Sequence, residues 1–273
     1  TLEAYARRIV AKVERFNKEY SAVTFTEPLP ENIRPGHLIA ADEPGPDVHI
    51  SGCRMSGNRA RGLLIGSRGR VIIENNYFHI AGASILFEGD GNFWFEQSGV
   101  RDVTIRNNIF ANGNYGSRGW GSACIAVGSG ISQRQTSRYH RNIQVDGNLF
   151  RVFDPRIVNL YCVDGFQFSA SNRIVRTSDY PATFDPKLHF VFDQCDHIEI
   201  PRQIEMAEQR CKSPSKKSIS DGSCNNKSLQ LLFSMVLQWK IWTNGQTKLD
   251  CLVTVKLIFV MAVQVSSLTR QLP

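Results

Sequence analysis

Four carboxylates occupy matching or neighbouring places after a series of short apolar runs. The runs are Gly-Leu-Leu-Ile-Gly (62–66), Ser-Ile-Leu-Phe-Glu (84–88), Cys-Ile-Ala-Val-Gly (124–128), Ile-Val-Asn-Leu-Tyr (157–161) and His-Phe-Val-Phe-Asp (189–193). Aligned, they put Leu63, Ile85, Ile125, Val158 and Phe190 in one inward column. The outward position that follows holds Gly66, Glu88, Gly128, Tyr161 and Asp193. Two residues on come Arg68, Asp90, Gly130, Val163 and Cys195, with Asp164 and Asp196 one step beyond. Two carboxyl groups in different surroundings can divide proton donation and acceptance between them, so Glu88, Asp90, Asp164 and Asp193 are the candidate general acid–base set. The glycines beside them leave room for a ring-shaped ligand. Trp94, Trp120 and Tyr161 offer flat faces for stacking, and Arg68, His79 and Glu96 offer polar contacts. Each of these residues also has a plainer role. A lone acid can cap a turn, a lone His can be a hydrogen-bonded structural residue, and an Arg can form a surface ion pair. The Gly-Asp-Gly-Asn run at 89–92 is not a phosphate loop, because no helix and no Gly-Lys-Ser follows it.

A repeated phrase positions these groups. It reads Val-His-Ile-Ser-Gly-Cys-Arg-Met at 48–55, Val-Ile-Ile-Glu-Asn-Asn-Tyr-Phe at 71–78, Val-Thr-Ile-Arg-Asn-Asn-Ile-Phe at 103–110 and Ile-Gln-Val-Asp-Gly-Asn-Leu-Phe at 143–150. A looser copy starts at Phe166 and a truncated one at Ile198. First and third residues are apolar, the period of a strand with one buried face. Asn and Gly then tolerate the left-handed backbone of a sharp corner. Asn76, Asn108 and Asn148 are expected to stack in a hydrogen-bonded ladder, with Cys53 in that place in the first copy. Two or three strands per turn around one apolar interior make a parallel β-helix. The steps Val48 to Val71 and Ile143 to Phe166 are each 23 residues, the bare rung. Those starting at Val71, Val103 and Phe166 are 32, 40 and 32 residues, and their excess must leave as loops, which on stacked rungs gather on one face. An antiparallel sandwich leaves the aligned asparagines unexplained, and no long amphipathic helices separate the strands as a Rossmann-type fold requires.

The fold expected is therefore all-β, a single-stranded parallel β-helix, with three regions. Residues 1–46 hold a short N-terminal helix, from the spacing of Leu2, Tyr5, Ile9, Val13 and Phe16, and a Pro-rich lead-in over 28–46. Residues 47–202 form the coil. Residues 203–273 form an atypical tail that lacks the asparagine corner, read as non-native or disordered, or else as a cap on the open coil. The net charge of +7 is modest and lies mostly outside the repeat, which ranks nucleic acid well below carbohydrate as a partner. Seven cysteines do not suggest a disulfide framework in 273 residues, and Cys124, Cys162 and Cys195 read as small buried stack residues. No C-x-x-C pair suggests zinc. The apolar run 251–265 contains Lys256 and is short for a membrane span. The chain starts at Thr1 with no signal peptide, so it reads as a fragment of unknown localisation.

The stretch 75–108 contains Glu-Gly-Asp-x-Asn-x-Trp-x-Glu-x-x-x-Val-Arg-Asp-Val (88–103) and resembles glycoside hydrolase family 110. So do Pro-Asp-Val-His-Ile-Ser-Gly-Cys-Arg-Met-Ser-Gly-Asn-Arg-Ala-Arg-Gly before it and Phe-Asp-Pro-Arg-Ile-Val-Asn-Leu-Tyr-Cys-Val-Asp-Gly-Phe after it. The resemblance covers about 35–200. It implies a right-handed parallel β-helix that removes terminal α-1,3-linked galactose from glycans such as the blood group B determinant, with inversion, without a metal or other cofactor, and in a secreted or periplasmic setting. Inversion needs two carboxyl groups about 6.5–9.5 Å apart. Neighbouring rungs lie about 4.8 Å apart, so acids one or two rungs apart in a column meet that spacing. The chain is shorter than the family pattern, and its tail from about 203 matches nothing in it. Two other classes remain open. One is a different polysaccharide-degrading β-helix enzyme, for which neither a Gly-His-Gly turn nor a calcium site is visible. The other is a non-catalytic carbohydrate-binding or structural module.

Overall fold

The computed structural model describes residues 2, 4–35, 37–42, 45–89, 99–116, 121–130, 137–182, 189–202, 204–208 and 254–256. An N-terminal hairpin, β1 (Arg7–Arg15) and β2 (Ser21–Phe25), and a short β3 (Ala40–Ala41) precede the coil. The first rung is β4 (Val48–Ser51), β5 (Arg54–Ser56) and β6 (Leu63–Ile65), and the second is β7 (Arg70–Glu74), β8 (Tyr77–His79) and β9 (Ile85–Phe87). The third is β10 (Asp102–Arg106), β11 (Ile109–Ala111) and β12 (Ile125–Val127); the fourth is β13 (His140–Asp146), β14 (Leu149–Val152) and β15 (Val158–Tyr161). The fifth is β16 (Val163–Phe168), β17 (Arg173–Arg176) and β18 (Phe190–Asp193), and the sixth is β19 (Asp196–Glu199) and β20 (Glu205–Glu208). Corresponding strands pair in parallel, giving two six-stranded sheets and one five-stranded sheet. We call these the first, second and third sheets, in the order in which the chain visits them. The coil thus reaches Glu208, past the expected boundary at 202. Of the tail beyond, only the backbone of β21 (Thr254–Lys256) is described, paired antiparallel with β1 and β3.

The register is the one the repeat dictates. Val48, Val71, Val103, Ile143 and Phe166 are successive partners in the first sheet, and Leu63, Ile85, Ile125, Val158 and Phe190 in the third. Val71 and Ile73 are fully buried, while Ile72 and Glu74 face outward. Phe78, Phe110 and Phe150 stack with centroids 5.1 and 4.7 Å apart.

The corner between the first and second sheets is held by side chains. Asn75, Asn107, Gly147 and Gly52 take the left-handed backbone there, and the residue after each begins the ladder. Asn76 N–H donates to Asn108 Oδ1, Asn108 N–H to Asn148 Oδ1 and Asn148 N–H to Asn172 Oδ1, each at 2.9 Å. Each amide nitrogen also donates to the carbonyl of a first-sheet residue in the rung below, Ile50, Ile73, Ile105 or Val145. Cys53 N–H ends the ladder by donating to Asn76 Oδ1. Asn172 extends it one rung beyond the three expected members, through the longer corner Ser169–Ser171.

Two expectations fail. The N-terminal helix is a hairpin, with β1 paired antiparallel to β2. A spacing of four is close to a helical turn, but it is also a multiple of two, so the pattern of Tyr5, Ile9 and Val13 is as compatible with extended chain as with a helix. They are exposed by 46%, 40% and 53%. Asn17 closes the turn, its Oδ1 accepting from the N–H groups of Glu19 and Tyr20. The excess residues also do not leave on one face. Segments 112–124 and 177–189 leave between the second and third sheets, whereas 88–101 and 128–139 leave between the third sheet and the first.

The third-to-first corner is plugged by a buried imidazole. Nε2–H of His140 donates to the Gly128 carbonyl at 2.8 Å, and Nδ1 accepts from Val100 N–H at 3.4 Å. Both bonds suit the neutral ring. Burial lowers its pKa from 6.5 to about 4, against the opposing pull of the Gly128 carbonyl.

Two outcomes follow for stability. Asn108→Ala is expected to cost about 3 kcal/mol in chemical denaturation, because buried backbone groups on two rungs lose partners. Asn75→Gly is expected to be nearly neutral and Asn75→Ala to cost about 1 kcal/mol, since only the backbone angle is at issue. For His140 the folded pKa lies below the unfolded one. Its contribution is therefore intact above pH 6.5 and falls as pH drops toward 4, because the unfolded chain takes up a proton that the native ring does not. Between pH 7 and pH 5 the loss is about 2 kcal/mol, and His140→Gln should flatten that part of the stability profile.

Candidate active site

The corner from the third sheet to the first gathers the described candidate acids, Glu88, Asp164 and Asp193, together with Asp196. Third-sheet strands end in register, so Gly66, Glu88, Gly128, Tyr161 and Asp193 follow one another along the axis, and Tyr161 pairs directly with Asp193. At the start of the first sheet Asp164 pairs with Asp196, one rung above. These short corners use left-handed residues in both rungs, Cys162 and Gly165 below and Gln194 and His197 above. Tyr161, Asp164, Asp193 and Asp196 are thereby held within neighbouring rungs. Glu88 shares the corner but lies three steps below Asp193, about 14 Å along the axis at the usual strand spacing.

The upper acids have strong partners. Arg138 donates two bonds to Asp196, Nε to Oδ2 at 2.6 Å and Nη2 to Oδ1 at 3.3 Å. The Arg138 guanidinium holds the Asp196 carboxyl below the usual carboxylate range. His197 Nδ1 lies 2.6 Å from Asp164 Oδ1, and the bond to that carboxylate raises the His197 pKa. A carboxylate gripped by a guanidinium is a poor proton donor, so Asp196 suits charge placement better than acid catalysis.

Glu88, half-buried just after β9, lies beside Gly128. A methyl group on Gly128 would lie 3.9 Å from Glu88 Oε1. The backbone around it is tied down: Gly89 N–H donates to the Gly128 carbonyl at 3.1 Å, and Gly130 N–H donates to the Gly89 carbonyl. Tyr139 and His140 close the corner from behind.

The remaining candidates divide. Arg68 is at the same corner, but its side chain is 8% exposed and lies 3.8 Å from Asp42, which also meets Arg7; it ties the N-terminal segment to the coil. His79 is at the opposite end of the third-sheet strands. Its Nδ1–H donates to the Ala111 carbonyl at 2.8 Å and its ring stacks on Tyr115, so the structure does not bring it to the acids. Asp90, Trp94, Glu96 and Trp120 lie outside the described residues. Cys124 and Cys162 are buried free thiols and Cys195 is half-buried; burial pushes the Cys124 pKa up to about 12. Among the described residues no group of three His, Cys, Asp or Glu side chains could hold a metal ion, and no helix is long and apolar enough to cross a membrane.

Sequence reasoning missed Arg138, Tyr139, His140 and His197. His140 stands in an inward column, in register with Val163, where the repeat calls for an apolar residue. The signal available was that break in pattern just before the copy at 143. Beside the acids, the outer face of the first sheet forms an open groove of about 610 Å³ lined by Thr104, Arg106, Gln144, Asp146, Gln167 and Glu199, among others. Gln167 and Glu199 are the next outward residues after Asp164 and Asp196 on the same strands.

Residues 1–39 match the family model of the GLAA-B β-barrel domain II, which accords with a hairpin rather than a helix there. The chain is 38% identical over 181 residues to alpha-1,3-galactosidase A of Shewanella woodyi, covering 66% of this chain and 29% of that protein. It is 35% identical over 202 residues to alpha-1,3-galactosidase B of Bacteroides thetaiotaomicron, covering 73% and 33%. Against alpha-1,3-galactosidase A of Bacteroides fragilis the identity is 30% over 231 residues, covering 80% and 38%. The chain thus spans about a third of the length of the curated relatives it matches. The chain is thus similar over most of its length to proteins named alpha-1,3-galactosidase A and B, as the resemblance to glycoside hydrolase family 110 implied.

Proposed function

We propose that the protein containing this chain is a glycosidase that removes terminal α-1,3-linked galactose from glycans by an inverting mechanism. The observation that carries the reading is the 38% identity over 181 residues to a protein named alpha-1,3-galactosidase A. The corner supports it chemically. Inversion needs one carboxylic acid to protonate the leaving oxygen and one carboxylate to activate water on the opposite face of the sugar. Glu88, Asp90, Asp164 and Asp193 supply the pair. Glu88 and Asp90, two residues apart in sequence, form one combination. Asp164 and Asp193, at the start and the end of the fifth rung, form the other. Asp196, held ionised by Arg138, and Tyr161 serve binding and charge placement. Trp94, Glu96 and Trp120 remain proposed sugar contacts, and the first-sheet groove offers polar side chains for the rest of the glycan.

Purified protein is expected to release galactose from an α-1,3-galactosyl disaccharide with inverted anomeric configuration, followed by NMR of the fresh product. Of Glu88→Gln, Asp90→Asn, Asp164→Asn and Asp193→Asn, the two that alter the working pair should lower kcat by about 10²–10⁴-fold, and the other two by less than about tenfold. Galactoside binding without turnover would instead assign the chain to a non-catalytic module. Full activity in all four variants would remove the chemistry from this corner.

A further inference from the structure

Tyr139 is fully enclosed, yet it does not belong to the main core of the coil. It sits in a separate small cluster with Leu2, Ala40 and Cys162, against which Ala4 and Leu38 pack. Its ring meets two glycines, Gly89 and Gly99, that bracket residues 90–98. A methyl group on Gly89 would fall 2.3 Å from Tyr139 Cε1, and one on Gly99 would fall 2.8 Å from the Tyr139 carbonyl oxygen and 3.1 Å from the ring. Gly99 has a left-handed backbone (φ 72) that itself favours glycine. Gly89 does not, so the bare Cα there is explained by close packing, chiefly against the ring. Next along the chain, His140 binds the Gly128 carbonyl, to which Gly89 N–H also donates, and accepts from Val100 N–H. The two rings meet edge to face at 5.0 Å. Tyr139 therefore touches both ends of the segment that follows Glu88, and the N-terminal segment backs it, with Leu2 Cδ1 3.1 Å from the same Gly89 methyl position.

We propose that Tyr139 is a positioning residue that clamps Gly89 and Gly99 together, fixing the reach of Glu88 into the acid corner and linking that corner to the N-terminal segment. This rests on the reading of the corner as the catalytic site, but the clamp itself is a structural statement that can be tested separately. A ring that merely filled space would loosen the whole coil when removed. A clamp loosens one corner.

The test is amide hydrogen exchange together with kinetics on the disaccharide, using Tyr139→Phe, Tyr139→Ala and Gly99→Ala. In Tyr139→Ala, protection at the Gly89 and Val100 amides should fall at least about tenfold, while the ladder amides of Asn76, Asn108 and Asn148 keep theirs. On the same variant kcat should fall about 100-fold with KM within about threefold, since a misplacement near 1 Å costs that much. Tyr139→Phe, which keeps the ring, should restore both readouts to within about fivefold of the parent. Should Tyr139→Ala not fold, Gly99→Ala leaves the ring in place and pushes on the same contact, with the same local loss of protection expected. Unchanged exchange at Gly89 and Val100 in both variants would overturn the clamp, as would an equal loss at the ladder amides. An inactive parent protein would overturn the galactosidase reading alone, and exchange would still decide the role of Tyr139.

Discussion

The structure rests on in-register stacking of one buried amide on the next. Each ladder asparagine uses its carbonyl oxygen for the rung below, and Asn76, Asn108 and Asn148 use their backbone N–H for the rung above. The amide nitrogen then satisfies a first-sheet carbonyl that a sharp corner would otherwise orphan. In a dry interior an unpaired group of this kind costs on the order of 1–3 kcal/mol. A slip of one residue would break several such bonds at once and turn an inward apolar column outward. Local chemistry at one corner thus sets the height and rotation of every rung, including strand ends far from it.

The acid corner is a consequence of that alignment. No contact among Glu88, Tyr161 and Asp193 is needed to assemble them; they arrive together because Ile85, Ile125, Val158 and Phe190 pair in order. Alignment alone does not choose the partners of the acids. Arg138 bonds Asp196 and His197 bonds Asp164, and both come from outside the outward column used to find the site. The division of partners, with Asp196 under a guanidinium and Asp164 beside an imidazole, makes acids in equivalent positions chemically unequal.

Opposite ends of the third-sheet strands also serve different ends. One carries the acids. The other carries a stack of His79, Tyr115 and Tyr180, and Asn112 there bonds Asp179 and Thr177. Loops leave the coil at both, so loop excess does not by itself mark a binding face. The N-terminal segment settles on the acid side through Leu2, Ala40 and the Arg68–Asp42 pair.

How much could be read beforehand follows from the range of each interaction. Period-two alternation, the Asn-Asn and Gly-Asn corners and the matched apolar runs are local or periodic, and they alone determined the coil, its register and the columns that hold Glu88, Asp164 and Asp193. The hairpin at β1 and β2 was hidden because a spacing of four satisfies both helix and strand, and only pairing with another strand decides between them. Asn172 escaped because its corner is longer than the others. Tyr139, His140 and Arg138 follow a 40-residue step whose length says nothing about where the chain returns. Tertiary structure alone decided that this return plugs the acid corner, because a ring is placed by the surfaces that close around it and not by its neighbours in sequence.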